Sequence, residues 1–334
     1  MAGGRPGRLP ENRGLAFNGS KIYGQGFLLT AAEAADLLHC EPAAAAVIRP
    51  YLSGDDLHGR ADRLPARQVI CFSDRSLEEV EARWPRCLAR VRQQVLPERE
   101  RLRGRNSIGN RRAAVWWQFG SPAPALYQAL AGRAQVLVKV LHSHTHVFVP
   151  VPARYVFSHA LAVVVDDDPA LLAVLQSSLH EQWAQAHGSS LGRAPRYTLS
   201  RTLETFPLPP RTAALRRLGA ELEATWRTLT TARGEGLTVL WNHLHDPAEQ
   251  SDDLWTLRRL GAAVDAAVVE SYGWGERLEH DFRDTSLGPR WGPAPAAAAR
   301  LQARLLELNQ TRLVGYQETT AGTPAAVTTA RSSS

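Results

Sequence analysis

The sequence predicts an α+β protein: a mixed α/β part over residues 15–208, a helical part over residues 209–318, and disordered ends at 1–14 and 319–334. Three observations predict it. Short β-branched and aromatic runs, "RQVICF" among them, read as strands and all precede Pro209. Leucines at three- and four-residue spacing dominate everything after it. The change falls at "ETFPLPPR", where two consecutive prolines follow an apolar anchor. With 334 residues and 44% hydrophobic content, the chain can fill a substantial core.

Taken in order, residues 31–39 read as a short helix, and "EPAAAAVIRPYLSGDDL" ends in a turn at Gly54, Asp55 and Asp56 with a capping aspartate. A strand at 68–72 follows. Leu77, Val80, Trp84, Leu88, Val91 and Val95 then mark one face of a long helix that leaves Arg83, Arg86 and Arg90 on another, and Pro97 should stop it. "AVWWQF" supplies aromatic core residues, Trp116 and Trp117 among them, before a short helix at 124–131. Strands are expected near 135–141, 145–150 and 160–165. Asp168 reads as an N-cap with Pro169 at the first helical position, opening a helix that carries Leu171, Leu175, Leu179 and Trp183 and ends before Gly188. The later helices are marked by Leu215 to Leu229, Leu254 to Val268 and Leu301 to Leu308.

Composition narrows the function classes. No apolar run is long enough to cross a bilayer, and no hydrophobic segment follows the N-terminal arginines, so the expected location is the cytoplasm. Cys40, Cys71 and Cys87 form no CxxC pair and read as reduced, buried thiols. Of the net charge of +6, residues 83–112 alone carry +8, from ten arginines against Glu98 and Glu100, leaving −2 for the remainder. That strip is the electrostatic footprint expected for a phosphate backbone; its bland counterpart is a solvated helix face. There is no GxxxxGK[ST] loop, no GxGxxG after a strand, no GxSxG, no HExxH and no Asn-Pro-Pro-Tyr type tetrapeptide. With Lys21 and Lys139 the only lysines, no Asp…Glu-x-Lys nuclease arrangement is found either. The expectation is a chain with no catalytic residues and no metal site of its own.

Within "KVLHSHTHVFVP", His142, His144 and His146 stand at alternate positions. On a strand they would share one face, about 6 to 7 Å apart. Three readings stand: metal ligands completed by His180 or by His243 and His245, as in a metal-dependent hydrolase; a solvated sheet face; or side chains that read a partner.

Four phrases in order, "AFNGSKIYGQGFLLTAAEAADLL", "VIRPYLSGDDL", "LLAVLQSSLHEQWAQAHGSSLGRAPRYTLSRTLETFPLP" and "GLTVLWNHLHDPAEQSDDLWTLRRLGAAVDAAVVESYGW", carry a family likeness from about Leu15 to Val314. Together they resemble the C-terminal part of the MmeI-like type II restriction-modification enzymes, which are adenine-N6 DNA methyltransferases. The resemblance implies a DNA target recognition domain over 15–208 with a helical extension behind it. It further implies double-stranded DNA as partner, with catalysis and S-adenosylmethionine binding supplied by upstream domains that this sequence does not contain. A split system with a separate methyltransferase subunit, a gene remnant and a fragment of a longer frame all fit that departure, as does an interaction module built on the helical half.

Carried over, the resemblance places base reading on His144 and His146, with His142 beside them and Lys139 and Thr145 as second-rank candidates. Arg99, Arg101, Arg103, Arg105, Arg111 and Arg112 lie in a stretch with few apolar anchors and are expected to contact phosphates. Arg196, in "RYTLS", is expected either to touch the DNA backbone or to be a buried structural arginine.

Overall fold

The computed structural model describes residues 4–191, 194–285 and 288–321. Eight short strands organise the first part: β1 (Ala16–Asn18), β2 (Leu28–Leu29), β3 (Ile48–Leu52), β4 (Arg67–Ile70), β5 (Gln135–Val140), β6 (Val149–Pro152), β7 (Val156–Phe157) and β8 (Leu161–Val164). They form two four-stranded sheets, ordered β1-β8-β5-β6 and β2-β4-β3-β7. The first is antiparallel throughout; in the second, only β3 and β7 run parallel. Helices and sheets together give the α+β class that the sequence predicts.

The central strand β5 is buried on both faces. Val136, Val138 and Val140 enter a core that also holds Leu215, Leu218, Leu222 and Trp226, so this core runs across Pro209 without interruption. Leu137, one residue out of phase, enters a second cluster with Leu171, Leu175, Tyr197 and Leu203. A third cluster lies between the second sheet and the helices after it, around Val69, Val80, Trp84, Leu88 and Val91. Two ionic contacts add to the junction at Pro209: the buried pair Arg63–Glu223 at 3.0 Å and Arg211–Asp166 at 2.6 Å.

Several elements differ from expectation. The helix expected from Leu77 to Val95 is two, Leu77–Arg83 and Pro85–Gln94, because Pro85 has no N–H to continue the ladder and opens a new helix instead. Pro97, expected as a stop, sits in the first turn of Leu96–Glu100 for the same reason. The helix opened by Asp168 breaks at Ser177, whose side chain accepts from the His180 N–H and caps a second helix, Ser178–His187. Gly54, Asp55 and Asp56, expected as a turn with a capping aspartate, are instead the first turn of a helix, Gly54–Gly59, whose N-cap is Ser53; Asp56 is its reciprocal partner in a capping box. The strand expected from 145 begins only at Val149.

Two more differences concern the ends of the chain. The N-terminal segment, expected to be disordered, packs: Leu9 is fully buried, and Asn12 Nδ2 donates to the carbonyls of Leu203 and Phe206. Asn309, buried on the last helix, holds Gly7 through both its N–H and its carbonyl. Beyond Pro209, where only helices are expected, a hairpin of β11 (His280–Thr285) and β12 (Gly288–Pro293) intervenes, after the smaller hairpin of β9 (Ser189–Leu191) and β10 (Ala194–Arg196) in the first part. The last helix, Pro295–Ala321, reaches past residue 319, and 322–334 lie outside the described residues. Cys71 and Cys87 are buried, but Cys40 is exposed at a helix end. Among the described residues no helix is long and apolar enough to cross a membrane.

Helix Ala213–Arg233 lies so close to Pro169–Gln176 that a Cβ at Gly219 would stand 1.9 Å from the Pro169 carbonyl oxygen. Gly219→Ala should therefore lower stability by about 1–3 kcal/mol, overriding a helix-propensity gain of about 1 kcal/mol. Urea denaturation of the two proteins checks it.

Candidate nucleic-acid interface

The residues singled out by the histidine pattern lie where β5 leaves its sheet. Period-2 alternation turns Lys139 to the same inner face as Leu137, and the lysine is 2% exposed. Its Nζ donates to the Thr145 carbonyl at 2.7 Å and lies about 6 Å from the rings of Phe148 (6.0 Å) and Tyr197 (5.8 Å). Burial pushes its pKa down to about 7, opposed by the Glu181 carboxylate. Burial likewise raises Glu181 to about 7, opposed by Lys139. A compact ammonium fits this space with a single strong acceptor, which accounts for a lysine in a chain otherwise rich in arginine.

Residues 141–148 are a loop, so the three histidines share no strand face. His146 is 6% exposed, and its Nε2 donates to the Leu175 carbonyl at 2.9 Å. His180 Nδ1 donates to the same oxygen at 3.0 Å, while its Nε2 accepts from the Tyr197 hydroxyl at 3.1 Å. Leu175 lies in the last turn of its helix, where carbonyls lack intrahelical partners, and the two imidazoles satisfy it. Thr145, 2% exposed, donates its N–H to Ser143 Oγ.

Only His142 and His144 of the triplet are exposed. His142 pairs with Arg196 in an isolated antiparallel bridge, which sets the exposed Arg196 of β10 beside the loop. His144 and Arg196 border one shallow cleft, with Lys139, His146 and Glu181 at its base. The expected base-reading set thus divides: His142 and His144 face outward, whereas His146, Lys139 and Thr145 are interior residues that hold the loop. Among the described residues no group of three or more His, Cys, Asp or Glu is placed to hold a metal ion. His180 is taken up by Leu175 and Tyr197, His243 lies between Glu235 and Glu249, and His245 Nδ1 accepts from the Trp291 N–H.

The arginine strip divides as well. Arg99 is 2% exposed, and its guanidinium donates to the carbonyls of Ile22 and Tyr23, so it braces a loop rather than facing a partner. Burial, together with the nearby Arg112, lowers its pKa to about 10. Arg83, Arg90, Arg92 and Arg103 pair with Glu79, Glu33, Glu81 and Glu100. Arg112 lies 4.1 Å from the centre of the Tyr23 ring. Arg101, Arg105 and Arg111 are exposed and, among the described residues, make no ion pair.

Residues 11–210 match the family model described as MmeI, target recognition domain. The chain belongs to the MmeI target recognition domain family. A solved structure of the type IIL restriction-modification enzyme MmeI in complex with DNA is similar over 93% of this chain and 36% of that one, with a TM-score of 0.62 and 19% identity. The chain thus spans about a third of the length of that enzyme and shares its fold in that region. No curated protein matches.

In this MmeI-type domain the resemblance read from the four phrases is therefore upheld. The sequence pattern missed Tyr23, which stacks on Arg112 and holds a positive φ of 48°, and it missed the support given by Ser143 and Glu181. A signal for Lys139 was present: on a strand apolar on both faces, alternation sends any residue inward.

The buried imidazoles set a pH dependence. Burial lowers His58 to about 4, His180 and His245 to about 3, and His146 well below its usual range. They stay neutral in the folded protein at pH values where the unfolded chain protonates them, so added protons favour unfolding below pH 6.5. Stability should fall from pH 6.5 towards pH 4, by up to about 1.4 kcal/mol per pH unit for each such residue. Chemical denaturation at pH 7.5, 5.5 and 4.5 measures it.

Proposed function

We propose that the chain is a non-catalytic, sequence-specific recognition module for double-stranded DNA in a restriction-modification system. The observation that carries this is a cluster of exposed arginines, Arg101, Arg105 and Arg111, that make no ion pair among the described residues, on a chain of the target recognition family. Those arginines would neutralise phosphates and set register, since such contacts are indifferent to base identity. His142 and His144 would meet base edges, with the exposed Arg196 beside them on the DNA backbone. An imidazole can pair with N7 of guanine or adenine, and a good pair contact is worth roughly 1–3 kcal/mol of discrimination. His146, Lys139 and Thr145 would act from inside, fixing where His144 stands.

Methyl transfer to adenine, and S-adenosylmethionine binding with it, would belong to a methyltransferase partner, with the module working in the cytoplasm where that DNA is reached.

Fluorescence anisotropy with random duplex DNA across salt concentration tests the reading. Log affinity should fall linearly with log salt, and Arg101→Gln, Arg105→Gln and Arg111→Gln together should flatten the slope by roughly three phosphates' worth, about 0.9 each. No binding at low salt by a folded, monodisperse sample would overturn the proposal.

Site selection from a randomised duplex library separates the readers from their supports. His142→Ala with His144→Ala should change the selected sequence while leaving random-duplex affinity within about twofold. His146→Ala should instead lower the urea midpoint, because it empties a buried site and removes one of the two donors to the Leu175 carbonyl. An unchanged selected site in the double variant would remove the histidines from base reading.

A further inference from the structure

Ile108 is 60% exposed, and it stands at the start of helix Ser107–Ala114 among cations. Three and four residues on, Arg111 and Arg112 occupy the same helix face, while Arg105 and Arg101 precede it. The helix buries the opposite side, through Gly109 and Ala113. The segment that presents Ile108 is held by its own side chains. Asn106 caps the helix by accepting from the Gly109 N–H at 2.8 Å, and Asn110 Oδ1 accepts from the Gly104 N–H at 2.6 Å. A Cβ at Gly109 would lie 2.4 Å from the Leu102 carbonyl oxygen, so glycine is what lets the helix close against the preceding turn. Arg112 is stacked on the exposed Tyr23, which anchors the far end of the same face.

A β-branched side chain held outward on a braced support, flanked along the chain by Arg101, Arg105 and Arg111, which make no ion pair among the described residues, is complementary to a polyanion with an apolar interior. Duplex DNA is such a partner: phosphates line the groove and the base stack lies at its floor. We infer that Arg101–Arg112 is a minor-groove arm whose Ile108 side chain wedges between base pairs while Arg101, Arg105 and Arg111 hold the flanking phosphates. Wedges of this kind partly unstack one step and kink the duplex by roughly 20–90°. The kink falls most easily at flexible pyrimidine–purine steps, so the arm adds shape-dependent selectivity to the base reading by the histidine loop. The inference rests on the DNA-binding reading above.

The test uses the full chain and random duplexes labelled at both ends, following anisotropy for binding and energy transfer between the ends for bending in one titration. The wild-type protein should raise energy transfer as it saturates the duplex. Ile108→Ala, at an exposed position that folding does not need, should weaken binding by about tenfold, the worth of burying one such side chain, and remove the rise in transfer while keeping the salt slope. Ile108→Leu should restore the rise. Full binding by the wild type with flat energy transfer, or a bend that Ile108→Ala preserves, would overturn the wedge while leaving the DNA module standing. Absence of any anisotropy change at low salt would overturn both.

Discussion

Burial of one strand on both faces is the constraint from which the rest of the recognition surface follows. Because β5 is enclosed by two apolar clusters, every side chain from Val136 to Val140 must turn towards one of them, the lysine included. A buried ammonium needs an acceptor, and the Thr145 carbonyl supplies one by folding residues 141–148 back over the strand end. The same fold carries His146 to the open end of the Pro169–Gln176 helix, where a carbonyl lacks a partner. His142 and His144 are what remains outside.

Rigidity of the loop is therefore bought from the interior. Lys139, His146, His180 and Tyr197 form a connected polar group in an otherwise apolar region, and each donor in it has a named acceptor. Networks of that kind specify one arrangement strongly, because breaking any link strands a polar group without water. For a reader of base edges this matters more than raw affinity, since discrimination depends on where a donor stands to within a fraction of an ångström. The arginine segment uses a local version of the same device, with Asn106 and Asn110 bonding the backbone that displays Ile108.

Charge is arranged to the same end. Much of the strip that dominates the net charge is spent inside the molecule, on carbonyls by Arg99 and on nearby glutamates by Arg83, Arg90, Arg92 and Arg103. Of what remains exposed in the strip without an ion pair among the described residues, Arg101, Arg105 and Arg111 lie on one short segment, with Arg86 apart from them.

Much of the fold was legible by itself in the sequence, because periodicity reports which faces are apolar: the helices at 31–40, 213–233 and 252–271, the strands β4, β5 and β8, and the cap at Asp168 all follow from local pattern. The family likeness was legible too, in phrases whose order survives substitution. Position in space was decided only by tertiary packing. Alternation of three histidines is the same written on a strand or in a loop, and whether it is loop depends on Lys139 finding Thr145 across the strand end. An arginine reads identically whether it braces a carbonyl or faces solvent, and Arg99 and Arg101 differ only in what the rest of the chain brings beside them. The break at Pro85 was written in the sequence and overridden in reading by an apolar stripe that runs straight through it, because both helices pack against the same cluster. Local chemistry determines which elements can form; contacts between residues distant in sequence determine which side chains are left to meet a partner.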